Sequence, residues 1–247
     1  MPSYNDLRKE MVERQIRARG VRDPLVLDAM GRVPREHFVP VHLKGQAYRD
    51  VPLPIDAGQT ISQPYIVAYM IEALALSGGE KVLEIGAGSG YAAAVLAEIA
   101  GEVFAIERHG TLASRATAAL QDAGYTNVHI FHGDGTRGWQ DEAPFDAILV
   151  SAGAPFVPKT LKSQLARGGR MVVPVGSDPR AQELVRVTRR GKGQFDREDL
   201  ADVRFVPLIG EQGWEGETEE AQTAPPRLIQ HRPRQTEDLP RLIRTFA

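Results

Sequence analysis

The apolar positions of the chain follow one period up to about residue 80 and another beyond it. In the first part they recur every three to four residues, which is typical of amphipathic helices. Ser3 and Asp6 form a capping-box pattern before the first run, and Asp23 with Pro24 precedes the second. The predicted helices cover residues 7–19, 25–30 and 65–76. We therefore predict a mainly helical N-terminal region over residues 1–80.

From residue 81 onward, short apolar runs alternate with longer amphipathic segments. The predicted strands cover residues 82–85, 102–106, 127–131, 145–150 and 170–175, and the predicted helices between them cover residues 90–99, 111–123 and 158–167. The run 145–150 is apolar almost throughout, as in strands that are buried on both faces. This alternation predicts an α/β fold with a doubly wound, mostly parallel sheet over residues 81–176.

Beyond this core the pattern changes to a strict alternation of apolar and polar residues. Two such runs cover residues 183–188 and 203–208, and Gly191-Lys192-Gly193 between them is a turn signal. We predict a C-terminal antiparallel hairpin that extends the sheet edge over residues 177–214. The chain up to residue 214 then forms a single domain.

Two segments show no regular period. Residues 215–247 are rich in Glu, Gln, Pro and Arg, which predicts a linker, followed by a short helix from about Asp238. Residues 50–64 contain Pro52 and Pro54, which keep the segment extended and outside a central sheet. A segment of this length without regular structure is unusual in a compact domain and is often functional.

Composition narrows the class of protein. The 247 residues include 30 Lys and Arg against 32 Asp and Glu, without the basic excess of a typical nucleic-acid binder. The absence of cysteine excludes disulfides, zinc–thiolate sites and a thiol nucleophile, and it fits a reducing cytoplasm. No apolar run is long enough to span a membrane, and the N-terminus lacks the apolar core of a signal peptide. We expect a cytoplasmic monomer without nucleic-acid or membrane partners.

Three glycines at alternate positions follow the first strand of the core. The sequence Glu84-Ile85-Gly86-Ala87-Gly88-Ser89-Gly90-Tyr91 leads into a helix, an arrangement that brings backbone N–H groups against a nucleotide-like ligand. A dinucleotide fingerprint would have glycine in place of Tyr91. Glu107, at the end of the next strand, is placed to bind a ribose diol. Such turns also serve NAD, FAD and purely structural ends, so the loop alone leaves the ligand open.

The acid and the three glycines resemble the cofactor loop of class I methyltransferases that use S-adenosylmethionine. A narrower resemblance comes from other stretches of the chain, namely residues 33–40, 48–55, 58–65, 133–135, 145–152 and 205–208. Their content and order closely resemble the protein-L-isoaspartate (D-aspartate) O-methyltransferase family, from about residue 5 to Trp214. The stretch 58–64 is specific to that family, whereas the glycine loop is shared by many methyltransferases.

The resemblance implies a repair reaction on damaged proteins. In an isoaspartyl residue the backbone runs through the side-chain carboxyl, and the α-carboxylate is free. The family methylates this carboxylate with S-adenosylmethionine, and the ester then closes to a succinimide that opens partly to normal aspartate. D-aspartyl residues are a second candidate acceptor. A carboxylate is ionised at neutral pH, so the transfer requires no general base and no metal.

The resemblance also assigns roles to individual positions. Ser62, with Thr60 as a second hydroxyl, would orient the acceptor carboxylate as the catalytic pair. The cofactor-binding positions would be Glu84, Gly86, Ala87, Gly88, Ser89, Gly90, Glu107, Arg108, Asp134 and Gly135. The substrate-binding positions would be Pro54, Ile55, Ile61, Ser62, Val206 and Leu208. Val67 stands where some family members have a cofactor-contacting histidine, so that contact does not carry over.

Simpler roles stay open for several of these residues. Ser62 is also a candidate N-cap of the helix over residues 65–76, and Glu84 is a candidate anchor for the N–H groups of the glycine loop. Asp134 is equally placed to bond its own turn. His109, like the other histidines, is interpreted as structural or solvated rather than catalytic.

Rival functions also stay open. One keeps the cofactor but moves the acceptor to a small-molecule or natural-product carboxylate, or to a normal aspartate. A second is a nicotinamide oxidoreductase, against which Tyr91 argues. A third is a binding module without catalysis that uses residues 50–64 and the tail over residues 215–247.

Overall fold

The computed structural model describes residues 2–215, and its centre is a seven-stranded sheet. In chain order the strands are β1 (Leu53–Pro54), β2 (Thr60–Ile61), β3 (Lys81–Ile85), β4 (Glu102–Glu107), β5 (Val128–His132), β6 (Phe145–Val150), β7 (Leu165–Asp178), β8 (Ala181–Gly191) and β9 (Gln194–Val203). The large sheet has the order β5-β4-β3-β6-β7-β8-β9, and β1 pairs with β2 in a separate two-stranded sheet. The predicted extension over residues 215–247 lies outside the described residues except for Glu215.

The first five strands of this order are parallel to one another, and β8 and β9 add to them antiparallel. The chain runs outward from β3 through β4 to β5 and then returns to β6 on the other side of β3. Adjacent strand ends at such a switch point leave a crevice, and ligands of open α/β sheets bind there. The doubly wound, mostly parallel sheet that the sequence predicts is confirmed.

Helices cover both faces of the sheet. They are α1 (Tyr4–Glu10), α2 (Pro24–Arg32), α3 (Pro64–Leu74), α4 (Tyr91–Ala97), α5 (Gly110–Asp122) and α6 (Lys159–Gln164). Because side chains alternate along a strand, Val82 and Leu149 join one buried core with α2, α3 and α4. Leu83 and Ile148 join the opposite core with Leu161 of α6.

The predicted N-terminal helical region is confirmed in its main features. Ser3 and Asp6 form the capping box of α1, and Asp23 caps α2. Helical structure continues beyond α1 as a π-helical segment, Met11–Ile16, and a short 3-10 segment, and it ends at Gly20, whose φ is 104°.

Helix α3 is shorter than predicted and ends at a different residue. The pattern places its stop at Gly78-Gly79, but Leu74 is the last helical residue and Ala75 takes the left-handed conformation with φ 49°. An alanine there carries a Cβ that the left-handed region disfavours. Arg170 of β7 donates from Nη1 to the carbonyls of Leu74 and Ala75, both at 2.7 Å, and so provides a hydrogen-bond donor where the helix ends.

We predict that Ala75→Gly stabilises the protein, because glycine adopts this conformation without steric cost. The expected gain is about 0.5–1 kcal/mol in the free energy of unfolding, after the larger entropy of the unfolded glycine chain is included. Urea unfolding measures this difference. The control is Ala94→Gly inside α4, which we expect to destabilise by about 1 kcal/mol; a loss at both positions contradicts the prediction.

The antiparallel edge is present, but its second strand differs from the prediction. The turn at Lys192-Gly193 leads directly into β9, which pairs with β8 from Gly191 opposite Gln194. Residues 194–202 are mostly polar because β9 is the edge strand of the sheet, so the hydrophobic pattern does not reveal it. The apolar run at 203–208, predicted as that strand, instead crosses the carboxyl end of the sheet.

The sequence predicts no regular structure for residues 50–64, but the structure shows a short hairpin there. Leu53 pairs with Ile61 and Pro54 with Thr60, which forms a small hairpin. Its turn is tight because both central residues, Ala57 and Gly58, have positive φ. We call residues 53–61 the rim hairpin.

Candidate active site

The glycine loop between β3 and α4 has an unusual backbone that three hydrogen bonds hold in place. Gly86, Gly88 and Gly90 have φ values of 87°, 55° and 86°. The amides of Gly86 and Ala87 both donate to the carbonyl of Ile106 on β4, at 2.8 and 3.3 Å. The amide of Gly88 donates to the carboxylate of Glu107 at 2.9 Å. The conformation therefore depends on glycine and on the neighbouring strand.

Glu107 is the anchor of this loop and is itself buried, with 4% of its surface exposed. One carboxylate oxygen accepts from the amide of Gly88, and the other accepts from the amide of His109, also at 2.9 Å. Each carboxylate oxygen has two acceptor sites, so both oxygens retain the capacity to bind a hydroxyl of a ligand.

Glu84 is buried beneath the loop and lacks a full set of partners. Ser151 Oγ donates to Glu84 Oε1 at 3.4 Å, while Oε2 is buried without any hydrogen bond. Burial raises the pKa of Glu84 to about 8. The alternative that Glu84 anchors the loop amides is wrong, because the acceptors of these amides are Ile106 and Glu107.

Two adjoining cavities lie at the carboxyl ends of β3, β4 and β6. The Ser62 cavity is lined by Thr60, Ile61, Ser62, Val67, Met70, Glu84, Gly86, Ala87, Gly88, Ser89, Tyr91, Ala92, Leu149 and Ser151. It therefore brings the predicted catalytic pair, Thr60 on the rim hairpin and Ser62 directly after it, against the glycine loop and Glu84. Its walls near Val67 and Met70 are apolar.

The Glu107 cavity is lined by Gln59, Thr60, Ile85, Gly86, Gly88, Ile106, Glu107, Arg108, His109, Gly135, Ser151, Ala152, Val206, Pro207, Leu208 and Ile209. The predicted substrate residues Val206 and Leu208 thus lie beside the predicted cofactor residues Glu107, Arg108 and Gly135. Thr60, Gly86, Gly88 and Ser151 line both cavities and join them.

The structure removes the capping role of Ser62. Helix α3 begins at Pro64, its N-cap is Gln63, and no side chain caps it. The backbone carbonyl of Ser62 accepts from the buried guanidinium of Arg35 at 2.8 Å. Ser62 lines the first of the two cavities, and its side chain makes no capping hydrogen bond to the helix.

Four of the residues assigned to the site from the sequence lie outside the cavity walls. Pro54 is exposed on β1, and Ile55 packs over the loop, where a Cβ on Gly88 would lie 3.6 Å from its Cδ1. Gly90 packs against α5, where a Cβ would lie 3.3 Å from Ala116. Asp134 accepts from the amide and hydroxyl of Thr136, so its predicted cofactor contact stays a prediction beside this turn role.

Several residues that the sequence left without a function line the cavities. His109 had been interpreted as structural, but it lines the Glu107 cavity and its Nε2 is buried without a partner. Ser151 and Gln59 also line the walls. The position of His109 two residues after Glu107, and of Ser151 directly after β6, was the available signal, because strand ends meet at this edge of the sheet.

Residues 204–214, which follow β9, form one side of the Glu107 cavity. The amide of Leu208 donates to the carbonyl of Gly153, and the amide of Gly153 donates to that of Val206, both at 2.8 Å. The indole of Trp214 donates to the carbonyl of Gly153 at 3.0 Å, and the amide of Glu211 donates to Asp134. These bonds explain why the apolar run at 203–208 lies at the site rather than in the sheet.

Residues 2–215 contain neither a cluster of metal-ligating side chains nor a helix of the membrane-spanning kind. No group of three or more His, Asp or Glu side chains there is placed to hold a metal ion. No helix in the same residues is long and apolar enough to cross a membrane.

Three features define a class I methyltransferase fold of the Rossmann-like type. They are the glycine loop after β3, the acid Glu107 at the end of β4, and the strand order β5-β4-β3-β6-β7-β8-β9. The sequence profile of the protein-L-isoaspartate(D-aspartate) O-methyltransferases matches residues 6–213. The chain belongs to this family.

Known proteins agree with this assignment. The chain is 64% identical over 212 residues to protein-L-isoaspartate O-methyltransferase 1 of Rhodopseudomonas palustris (strain HaA2), covering 86% of each protein. It is 57% identical over 210 residues to a Marinobacter nauticus relative, covering 85% of this chain and 96% of the other. A Plasmodium falciparum structure of this family, solved with S-adenosyl-L-homocysteine, has a TM-score of 0.71 at 26% identity and covers 82% of this chain and 98% of that chain.

Proposed function

We propose that the chain transfers the methyl group of S-adenosylmethionine to the free α-carboxylate of L-isoaspartyl residues in damaged proteins. The observation that carries the proposal is the juxtaposition in one cavity of the hydroxyl-bearing rim hairpin with the glycine loop. Family membership supplies the reaction, and this cavity supplies the residues for it.

The residues present fit the cofactor in three respects. The glycine loop offers a backbone without Cβ atoms, and Glu107 offers oxygens for the ribose hydroxyls. Glu84 offers a buried carboxylate oxygen without a partner, which suits the ammonium group of the methionine part. Arg108, Ser89, Ala87 and Gly135 complete the assigned cofactor surface.

The protein contributes orientation rather than acid–base chemistry. When bound, the cofactor supplies an electrophilic methyl group on a sulfonium. The acceptor is already an anion, so the work of Ser62 and Thr60 is to donate hydrogen bonds that direct one carboxylate oxygen towards the methyl group. Fixed alignment of this kind contributes on the order of 7–11 kcal/mol at best.

The peptide lies along the rim in this proposal. Ile61 of the rim hairpin and Val206 with Leu208 form its two walls, and Ile55 holds the hairpin over Gly88. Backbone groups of both segments can bind an extended peptide regardless of its sequence. We propose isoaspartyl proteins and peptides as partners, and a monomer in the cytoplasm that does not act on nucleic acid or membranes.

The decisive assay uses two peptides that differ only in an isoaspartyl or aspartyl linkage, with methyl-labelled cofactor. We expect labelling of the isoaspartyl peptide alone. Equal labelling of both supports the rival reading with normal aspartate, and labelling of neither removes the proposed substrate. S-adenosylhomocysteine should raise the melting temperature, while NAD should not.

We predict that Ser62→Ala lowers turnover by about ten- to a hundredfold, the value of one hydrogen bond to a charged group. Binding of S-adenosylhomocysteine and the melting temperature should both stay unchanged, because the hydroxyl does not cap α3. Steady-state methylation and calorimetry measure these effects. Ser163→Ala on α6 is the matched control, and normal turnover in both variants contradicts the role of Ser62.

A further inference from the structure

Arg35 holds both ends of the segment that carries the rim hairpin. Its side chain is fully buried. Nε donates to the carbonyl of Ala47 and Nη2 donates to the carbonyl of Ser62, each at 2.8 Å. Residues 48–61 lie between these two carbonyls. One guanidinium therefore fixes the base of the hairpin and sets the position of Ser62.

Arg35 forms no ion pair within residues 2–215, although the carboxylate of Asp50, which pairs with Arg19, is near enough to favour its charge. Its Nη1 is buried without a hydrogen bond. The guanidinium carbon lies 4.7 Å from the centre of the Tyr91 ring. A buried unpaired charge is costly to the folded state. An interaction with an anion in a ligand complex would offset this cost.

Arg35 lies directly behind the wall of the Ser62 cavity. Two of the residues that it contacts, Ser62 and Tyr91, line that cavity. Glu84 lines the same cavity and provides a buried acid. The cavity thus has an acid for the cationic cofactor and a cation behind the place assigned to the acceptor.

We propose that Arg35 is a positioning residue for methyl transfer, which holds Ser62 through its backbone carbonyl and attracts the acceptor carboxylate to that side of the cavity. The inference rests on the proposed function, because only a carboxylate acceptor requires a cation there. The low dielectric of the protein interior extends the effect of the charge beyond direct contact.

The test compares Arg35→Met, which removes charge and donors, with Arg35→Lys, which keeps the charge. We expect Arg35→Met to raise KM for the isoaspartyl peptide at least tenfold and to lower kcat. Arg35→Lys should recover most of the loss in KM but not that in kcat. Dissociation constants for S-adenosylhomocysteine should stay within threefold of the wild-type value in both variants.

A double substitution isolates the path through Ser62. If Arg35 acts on turnover by placing that residue, Arg35→Met should lower kcat less than threefold when added to Ser62→Ala. Gln164→Leu is the stability control, because Gln164 is also a buried polar side chain that bonds to backbone groups, and it lines neither cavity. It should lower the melting temperature without a change in KM.

Three results would overturn the inference while the wild-type enzyme still methylates the isoaspartyl peptide. They are unchanged KM and kcat in Arg35→Met, an equal kinetic loss in Gln164→Leu, and a loss of cofactor affinity in place of peptide affinity. If Arg35→Met does not fold, the test rests on Arg35→Lys. Wild-type kcat and KM in Arg35→Lys would then show that the guanidinium hydrogen bonds to Ala47 and Ser62 do not position Ser62. A wild-type enzyme that ignores the isoaspartyl peptide instead removes the proposed function itself.

Discussion

Glu84→Gln is expected to stabilise the ligand-free protein and to weaken its binding of S-adenosylhomocysteine. The glutamate is buried with one oxygen unpartnered, and its pKa rises to about 8. Glutamine has nearly the same shape but cannot ionise. We expect a gain of about 1–3 kcal/mol near pH 7 in the free energy of unfolding, reduced by the cost of burying the amide. This gain corresponds to about 2–10 °C in melting temperature.

The direction of the pH dependence follows from the raised pKa of Glu84. The unfolded chain loses this proton at a lower pH than the folded protein, so the folded state loses relative stability as the pH rises. The stability that protonated Glu84 contributes is fully present below the unfolded pKa and is lost as the pH approaches 8. The difference between Glu84→Gln and wild type should therefore be small at pH 5 and largest near pH 8.

The ionised Glu84 carboxylate, which destabilises the ligand-free protein, should strengthen cofactor binding. An ammonium group beside Glu84 favours the ionised form, so binding below pH 8 releases a proton from the wild-type protein. Affinity for S-adenosylhomocysteine should increase with pH, by up to about tenfold per unit between pH 6 and pH 8. Calorimetry in two buffers measures the affinity and the released proton. Glu84→Gln should show a flat profile and no release.

The exposed Glu102, at the start of β4, provides the control. Glu102→Gln should leave the pH profile of cofactor binding unchanged. A Glu84→Gln variant that binds S-adenosylhomocysteine as tightly as wild type, with the same pH dependence, would remove Glu84 from the cofactor site.

Glu107→Ala should combine a loss of cofactor affinity with a loss of stability. The carboxylate accepts from the amides of Gly88 and His109, so its removal leaves two partly buried donors without partners. Each such donor costs about 1–3 kcal/mol. Loss of the ribose contacts should weaken S-adenosylhomocysteine binding at least about a hundredfold, since hydrogen bonds to a charged group are each worth about 1.5–3 kcal/mol.

Glu107→Gln separates these two effects. The amide oxygen retains one acceptor, so the variant should fold with a smaller loss in melting temperature, while cofactor affinity still falls at least about tenfold. Titration of S-adenosylhomocysteine below the melting transition checks both variants. Affinity within threefold of wild type in Glu107→Gln would contradict the ribose assignment, even if Glu107→Ala were unstable.

Local rules predicted much of the fold because each rule depends on neighbouring residues. The apolar run at 145–150 is a central strand, and the capping box at Ser3 and Asp6 begins α1 where the pattern places it. The hydrophobic pattern did not predict edge strand β9, because a strand exposed to water need not be apolar. Helix α3 ends at Leu74 although Ala75 is a good helix former, and the donor at that end is Arg170, which lies far away in the sequence.

The same division holds in the active site. Sequence alone determined the glycine loop, the acid at the end of β4, the family and the hydroxyls at residues 60 and 62, because these depend on residue type and spacing. Tertiary structure decided that Glu107 rather than Glu84 holds the glycine loop, and that Ser62 does not cap α3. It also placed Arg35 against the backbone of Ser62. Those facts depend on contacts between segments that are far apart in the chain and that only packing brings together. The spacing of residues in a sequence gives information only about residues that are close along the chain.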